Sequence, residues 1–149
     1  MSKISIDLSW SLQKGEIMPG KYSNQHEINF TPNIKIKADS APDWAGSELN
    51  VNPEQTLAAS LSSCHMMTFL ALAAKMKWPI TSYKDNAIAV LGKNSKGKMS
   101  VVKIELNPKV KFSNDFSVDV LEMKKVQDRA HRYCFIANSL SSDVKVKIN

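Results

Sequence analysis

The sequence predicts an α+β fold with antiparallel sheets, a long buried helix and a second, amphipathic helix. Three patterns support this class. Apolar residues alternate near both ends of the chain, apolar and small residues fill its middle, and a later segment has apolar residues spaced three and four apart, as on one face of a helix. With 149 residues, of which 43% are hydrophobic and 23% charged, the chain fits one soluble domain over residues 1–149.

The N-terminal part is predicted to form three antiparallel strands. Alternate apolar side chains, the period of a half-buried strand, come first, at Ile4, Ile6, Leu8 and Trp10. Residues 14–24 contain two glycines and a proline and are expected to form a loop. The strand pattern returns at 26–30 and 34–38, on either side of a turn at 31–33.

A long helix is predicted after a connection, residues 39–52, that is rich in turn-forming residues. Asn52 can cap this helix, Pro53 suits its first turn, and Glu54 faces the positive end of the helix dipole. The pattern runs to Pro79, with apolar or small residues on nearly every side. A helix that is apolar all round is usually buried, so we expect the central core helix here.

Two further strands, a second helix and a last strand complete the predicted order. The strands are expected at 83–91 and 99–112, joined by a glycine-containing turn, and Pro108 indicates an edge or a bulge. Ser117 can cap the second helix, and alternation resumes over 143–148. The apolar stripe of this helix comprises Met123, Val126, Ala130, Tyr133, Cys134, Ala137 and Leu140.

The formal charge of +6 favours an acidic partner only if the charge is concentrated. The central lysines alternate with strand-like apolar residues and lack stacking aromatics, which is typical of a solvated hairpin face rather than a nucleic-acid site. The N-terminus lacks the apolar run of a secretory signal, and the longest apolar stretch, 69–74, is too short to cross a bilayer. We expect a cytoplasmic protein that binds neither membrane nor nucleic acid.

The two cysteines, Cys64 and Cys134, decide the functional interpretation. In a reducing cytosol they need not form a structural disulfide, so each thiol is either a packing residue or a reactive one. Reactivity requires a thiolate, and Cys64 lies about three turns inside its helix, beyond the reach of the dipole. A cationic side chain from elsewhere is therefore expected. The two cysteines can meet only if their helices pack together, which spacing alone leaves open.

The histidines, His26, His65 and His131, are the remaining candidates for chemistry. His65 follows Cys64 directly, but adjacent helical side chains point about 100° apart. A capping or core hydrogen-bond role is favoured for each histidine. A zinc site is disfavoured because the sequence has no Cys-x-x-Cys or His-x-x-x-His pair, so no metal is expected.

Two stretches of the sequence form recognisable motifs. The first is NPEQTLAASLSSCH at residues 52–65, an Asn-Pro-Glu start followed by a small-residue helix that reaches a cysteine. The second is AHRYCFIANS at residues 130–139, around the other cysteine. Both motifs resemble those of the OsmC/Ohr family of thiol peroxidases and occur in the family's order. Together with the order of elements, the resemblance covers most of the chain.

The resemblance implies an OsmC-like fold that forms an intertwined homodimer, with active sites at the subunit interface. It also implies a peroxidase that reduces organic hydroperoxides or hydrogen peroxide, an antioxidant role in the stress response. Cys64 would be oxidised to a sulfenic acid, Cys134 would condense with it to a disulfide, and Glu54 would match the acidic residue that positions an activating arginine. A lipoyl-type dithiol would reduce the disulfide, with no metal or bound organic cofactor.

The sequence departs from the family at the activating arginine, which family members take from the N-terminal half. The only arginines here are Arg129 and Arg132, and neither precedes the first cysteine. Arg132, Lys21, Lys35 and Lys37 are the candidates to replace it. A lysine is a poorer substitute, because it lacks the planar fork that can bind a carboxylate and a thiolate together.

Two alternative hypotheses stay open beside the peroxidase. One is a binding protein on the same scaffold that holds a small apolar ligand, for which Trp44, Met66, Met67 and Phe69 would matter more than the thiol. The other is a basic nucleic-acid-binding module. The missing arginine favours the binding protein, whereas the presence of both cysteines within their motifs favours the peroxidase.

Overall fold

The computed structural model describes residues 2–113 and 115–149. The chain divides into two compact units, Met1–Thr56 and Leu57–Asn149, and the boundary falls after the first turn of the long helix. Two α-helices combine with largely antiparallel strands, which confirms the α+β class.

The N-terminal unit contains a three-stranded antiparallel sheet in the order β1 (Asp7–Ser9), β2 (His26–Thr31) and β3 (Ile34–Ala38). This confirms the predicted arrangement, although β1 is shorter than expected. The alternating side chains around β1 were expected to be half-buried, but Ile4, Ile6, Leu8 and Trp10 are all exposed. The strand register places Leu8 opposite Ile28, and Ile28 opposite Ile36, so one face of this sheet carries an apolar row.

The long helix α1 (Pro53–Lys75) begins at a capping box. The side-chain oxygen of Asn52 accepts the backbone N–H of Gln55 at 2.8 Å, and the Gln55 side chain accepts the N–H of Asn52 at 3.0 Å. The helix ends before Lys77, whose φ of 57° is left-handed, and Pro79 follows. The predicted cap is confirmed, and the helix stops four residues before the expected proline.

Helix α1 buries one face within the chain, through Ala58, Leu61, His65, Phe69 and Ala73. Other faces remain open, and Met67 is 58% exposed. Within the described residues, α1 alone is long and apolar enough to cross a membrane by length and composition. Its buried face belongs to the two core clusters of the C-terminal unit, as expected of a core helix.

The C-terminal unit contains two sheets. Strand β4 (Ile80–Lys84) pairs with β7 (Lys109–Phe112), and β5 (Ile88–Lys93), β6 (Met99–Leu106) and β8 (Lys145–Ile148) form the second sheet in that order. The β4–β7 and β5–β6 pairs are antiparallel, as predicted. The final strand differs, because β8 runs parallel to β6.

The strands expected at 83–91 and 99–112 are each divided in two. Asp85 interrupts the first, since its carboxylate accepts the hydroxyl of Ser62 and the backbone N–H of Asn107. Pro108 ends the second, because proline has no N–H to donate to a ladder. The bulge or edge expected at this proline is therefore a strand break.

Helix α2 (Val120–Tyr133) is capped by Asp119 and not by Ser117. The Asp119 carboxylate accepts the N–H of Glu122 at 2.9 Å. The helix is also shorter than the apolar stripe suggested. Cys134 is its extended C-cap residue, with φ −72° and ψ 117°, so the cysteine terminates the helix instead of lying inside it.

The core of the C-terminal unit comprises two clusters that share α1. The first includes Ala58, Leu61, Ile104, Leu106 and the buried Cys134. The second lies further along α1 but earlier on α2, and it includes Phe69, Ala73, Val126 and Ala130. Cys134 is thus a member of the first cluster, and Cys64 packs against that cluster.

Candidate active site

The two cysteines, 134 − 64 = 70 residues apart in the sequence, meet in the structure. Both are free thiols; Cys64 is partly exposed, whereas Cys134 is 0% exposed. The thiol of Cys134 donates a hydrogen bond to the sulfur of Cys64. Folding therefore brings these two candidate residues together.

The end of α2 places Cys134 and the residues that follow it. The N–H of Cys134 donates to the carbonyl of His131 at 3.2 Å, and the N–H of Asn138 donates back to the Cys134 carbonyl at 3.1 Å. The Asn138 side chain also donates to the carbonyl of Arg132 at 3.1 Å. Residues 134–139, which we call the cysteine turn, are thereby tied to the end of α2.

Three consecutive backbone amides of the cysteine turn face the sulfur atoms. The N–H groups of Phe135 and Ile136 donate to Cys64, and the N–H of Ala137 lies 3.4 Å from the sulfur of Cys134. Backbone amides carry positive partial charge, and a row of them forms a small anion-binding site. The turn therefore favours negative charge on Cys64 without a charged side chain.

The two thiols differ in acidity. Burial opposes ionisation of Cys64, but the hydrogen bonds from Cys134 and from the amides of Ile136 and Phe135 outweigh it and lower its pKa. Burial, together with the hydrogen bond to Cys64, raises the pKa of Cys134 to about 11. When Cys64 ionises, the remaining proton of the pair therefore stays on Cys134.

Within the described part of the chain, the groups that lower the pKa of Cys64 are neutral donors, and the expected cationic activator stays a prediction. Among the described residues, no cation is among the groups that lower the pKa of Cys64. Thr68 also contributes, but its hydroxyl donates to the Cys64 carbonyl at 2.9 Å, so the amides carry more of the effect. Sequence reasoning missed the amide donors because every residue except proline has one, and only the folded turn shows which of them face sulfur.

The cations considered from the sequence are not among the groups that lower the pKa of Cys64 in the described part of the chain. Lys35 pairs with Glu27 at 2.7 Å in the N-terminal unit, which also holds Lys21 and Lys37. Arg132 is exposed near the end of α2, and its backbone carbonyl accepts the side-chain N–H of Asn138 in the cysteine turn.

Glu54 stands in the first turn of α1, ten residues before Cys64 and about 15 Å from it along the helix axis. Its Oε2 atom is buried and has no hydrogen-bond partner among the described residues. A buried carboxylate oxygen without a donor is energetically costly.

His65 has the core hydrogen-bond role expected for it. Its Nε2 atom lies 2.7 Å from the side-chain oxygen of Gln127 on α2, and both residues are buried. His131 lies nearby, with ring centroids 6.5 Å apart. Gln127 was not identified from the sequence, since a glutamine on a helix gives no signal of a partner 62 residues away.

Solved structures share this architecture. An organic hydroperoxide resistance protein from Elizabethkingia anophelis is 15% identical, with a TM-score of 0.77 over 99% of this chain and 94% of that one. The organic hydroperoxide resistance protein OhrB of Bacillus subtilis is 18% identical, with a TM-score of 0.67 over 98% and 97% of the two chains. At these identities the likeness establishes the fold.

A more similar structure is an OsmC-like protein of unknown function from Vibrio cholerae, which is 40% identical over 100% of both chains with a TM-score of 0.90. The chain has no significant match among curated proteins. A family model described as OsmC-like protein matches residues 46–149, well over half of the chain. On this match and on the 40% identity, the chain belongs to the OsmC family.

Proposed function

We propose that the chain is a thiol-dependent peroxidase that reduces organic hydroperoxides or hydrogen peroxide, with Cys64 as the attacking thiolate. One observation carries the proposal: two free thiols share a hydrogen bond, and the pKa of Cys64 is lowered while that of Cys134 is raised. A peroxidase that resolves its own sulfenic acid needs one nucleophilic thiolate and a second thiol within reach.

The first step oxidises Cys64. Its thiolate attacks the distal oxygen of the hydroperoxide, the O–O bond breaks, and the alkoxide leaves and takes a proton from water. The product is an alcohol, and Cys64 becomes a sulfenic acid. The amides of Phe135 and Ile136 that hold the thiolate also face the sulfur as it reacts.

The second step forms the disulfide. The sulfur of Cys134 attacks the sulfur of Cys64 and displaces hydroxide, which leaves as water with the Cys134 proton. A lipoyl-type dithiol then reduces the disulfide by two successive exchanges and becomes a cyclic disulfide. In sum, hydroperoxide and dithiol yield alcohol, water and oxidised dithiol, with no metal or organic cofactor required.

Glu54 is assigned the role of positioning an activating donor, as the acidic residue of the family motif does for an arginine. The unpartnered, buried Oε2 atom supports this role, because a carboxylate oxygen in that state favours a cation or another donor. The donor would come from a second copy of the chain or from the substrate.

We further propose that the protein works as a cytoplasmic homodimer. The apolar row on the N-terminal sheet, through Leu8, Ile28 and Ile36, and the exposed Met67 of α1 support a second copy. Apolar surface left open on a single chain commonly marks an interface.

The proposal is tested by adding one equivalent of cumene hydroperoxide to reduced protein and reading the intact mass without reductant. We expect the loss of two hydrogens within seconds, as the Cys64–Cys134 disulfide forms. Cys64→Ser protein should show no mass change. An unchanged mass in the wild-type protein after minutes would contradict the proposal.

Ligand binding is the second candidate function, and one feature favours it. A mainly apolar cavity of about 330 Å³ lies between β7 and the start of α2, lined by Val110, Val120, Met123 and Gln127 among others. The residues suggested from the sequence do not build it, since Phe69 is a core residue and Met67 is exposed. Binding of an apolar fluorophore that Met123→Glu abolishes, together with an unchanged mass after peroxide, would support this candidate instead.

A further inference from the structure

A buried polar pair joins α1 to α2 and takes no part in the chemistry proposed above. His65 is 0% exposed and Gln127 is 6% exposed. The Nε2 atom of His65 and the Oε1 atom of Gln127 are 2.7 Å apart. Within the described residues, this is the sole side-chain hydrogen bond between the two helices.

The proton in this bond can be assigned. An amide oxygen only accepts, so Nε2 of His65 carries the hydrogen and donates it. The amide nitrogen of Gln127 lies 3.9 Å from the sulfur of Met123, which agrees with this orientation. Burial, assisted by the neighbouring His131, lowers the pKa of His65 against the opposing effects of Gln127 and Asp85. His65 therefore stays neutral, in the tautomer that bonds to Gln127.

The bond lies close to both sulfurs along the chain. His65 directly follows Cys64, and Gln127 precedes Cys134 by 134 − 127 = 7 residues, about two helical turns. Because each helix is rigid over such a length, a fixed contact between His65 and Gln127 sets the rotation and height of α2 against α1. Those two quantities decide where the cysteine turn meets Cys64.

We propose that the His65–Gln127 hydrogen bond is a clamp that sets the distance between the sulfurs of Cys134 and Cys64. His65 and Gln127 are then positioning residues for disulfide formation. The inference rests on the proposed function only in making that disulfide the resolving step of a peroxidase. Removing either partner leaves the other buried without a hydrogen bond, and α2 would shift to relieve it.

The test measures the effective concentration of the two thiols at equilibrium with oxidised and reduced dithiothreitol. In this exchange the two cysteines lose two electrons and two protons to the reagent disulfide, which becomes a dithiol. Samples are quenched with acid, and the two forms are separated by chromatography. We expect His65→Leu and Gln127→Met each to lower the effective concentration by about tenfold or more. His65→Gln, which retains a donor, should stay within about threefold of the wild type.

Phe69→Leu is the matched control, since Phe69 lies one turn beyond His65 on the same buried face of α1. It removes packing without touching the clamp, and the effective concentration should remain that of the wild type. An equal loss in Phe69→Leu and His65→Leu, or no loss in His65→Leu and Gln127→Met, would overturn the inference. This exchange uses no peroxide, so it tests the clamp separately from the proposed function. A wild-type protein that fails to react with hydroperoxide would refute the proposed function, whereas the effective concentrations of the variants alone decide the clamp.

Discussion

The two compact units of the chain bury their side chains to very different extents. In the described part of Met1–Thr56, the buried residues are Ala38 and Asp39. Many large apolar side chains of the same unit are exposed, including Ile4, Ile6, Leu8, Trp10, Leu12, Ile17 and Met18. Leu57–Asn149 instead contains both core clusters and both cysteines.

This difference separates two tasks. The C-terminal unit brings the thiols together and gives them unequal acidity. It also supplies the backbone amides that lower the pKa of Cys64. The N-terminal unit offers apolar surface that it does not cover itself, and it includes Glu54 with its unpartnered oxygen. Changes at the thiol pair of the C-terminal unit should therefore impair the chemistry, whereas changes on the sheet of the N-terminal unit should impair assembly.

The largest effect should come from Cys134→Ser in the C-terminal unit. Steady-state turnover with dithiothreitol should fall about a hundredfold, because the sulfenic acid cannot be resolved within the chain. A serine hydroxyl can still donate to Cys64, so peroxide should still oxidise Cys64, visible as a gain of one oxygen in the intact mass. Turnover equal to that of the wild type would show that the pair is not the catalytic unit.

A smaller effect is expected from Leu8→Asp on the apolar row of the N-terminal sheet. The Kd for dimerisation should rise about thirtyfold, since burying a leucine is worth roughly 2 kcal/mol, whereas the first step of peroxide reduction should change little. Sedimentation equilibrium measures the dimer. Ser9→Asp is the matched control, because adjacent side chains in β1 point to opposite faces. Equal dissociation by both variants would argue against this face as the interface.

The pH dependence should sharpen the description of the C-terminal unit. Because the pKa of Cys64 is lowered, its thiolate persists at pH values where an ordinary thiol is protonated, and the oxidation rate falls about tenfold per pH unit only below that lowered pKa. Thiolate absorbance near 240 nm should show Cys64 ionising first and Cys134 near pH 11. A single step for two protons would contradict the assigned asymmetry.

The smallest effect is expected from Glu54→Gln. The value of kcat/KM for cumene hydroperoxide should fall about fivefold through loss of the charge that positions a donor. The pKa of Cys64 should not move, because Glu54 is about 15 Å away along α1. Glu48→Gln, in the same unit, is the control. A shift in the thiol titration of Glu54→Gln would assign Glu54 to thiolate activation instead.

The sequence allowed most of the fold to be predicted where local chemistry determines it. The Asn52 cap, the β2–β3 hairpin and the long apolar helix all follow from short-range patterns. Element ends were less predictable. The apolar stripe continues past Cys134, yet the helix stops there, because tertiary packing of the cysteine turn outweighs helical periodicity.

The site was predictable in part. The motifs identified Cys64 and Cys134, but not the amides of Phe135 and Ile136, which lower the pKa of Cys64. Backbone groups leave no mark in a sequence. The hydrogen bond between His65 and Gln127 likewise depends on how the two helices pack, and neither residue identifies its partner from the sequence alone.

The unequal burial of the two sulfurs has a practical consequence for anyone handling the protein. An alkylating reagent should modify Cys64 and spare Cys134, since one sulfur is open and more acidic while the other is sealed by its neighbours. A fluorescent label could therefore be attached at a single defined position in the natural sequence. Loss of that labelling in cell extracts would then report how much of the protein is oxidised.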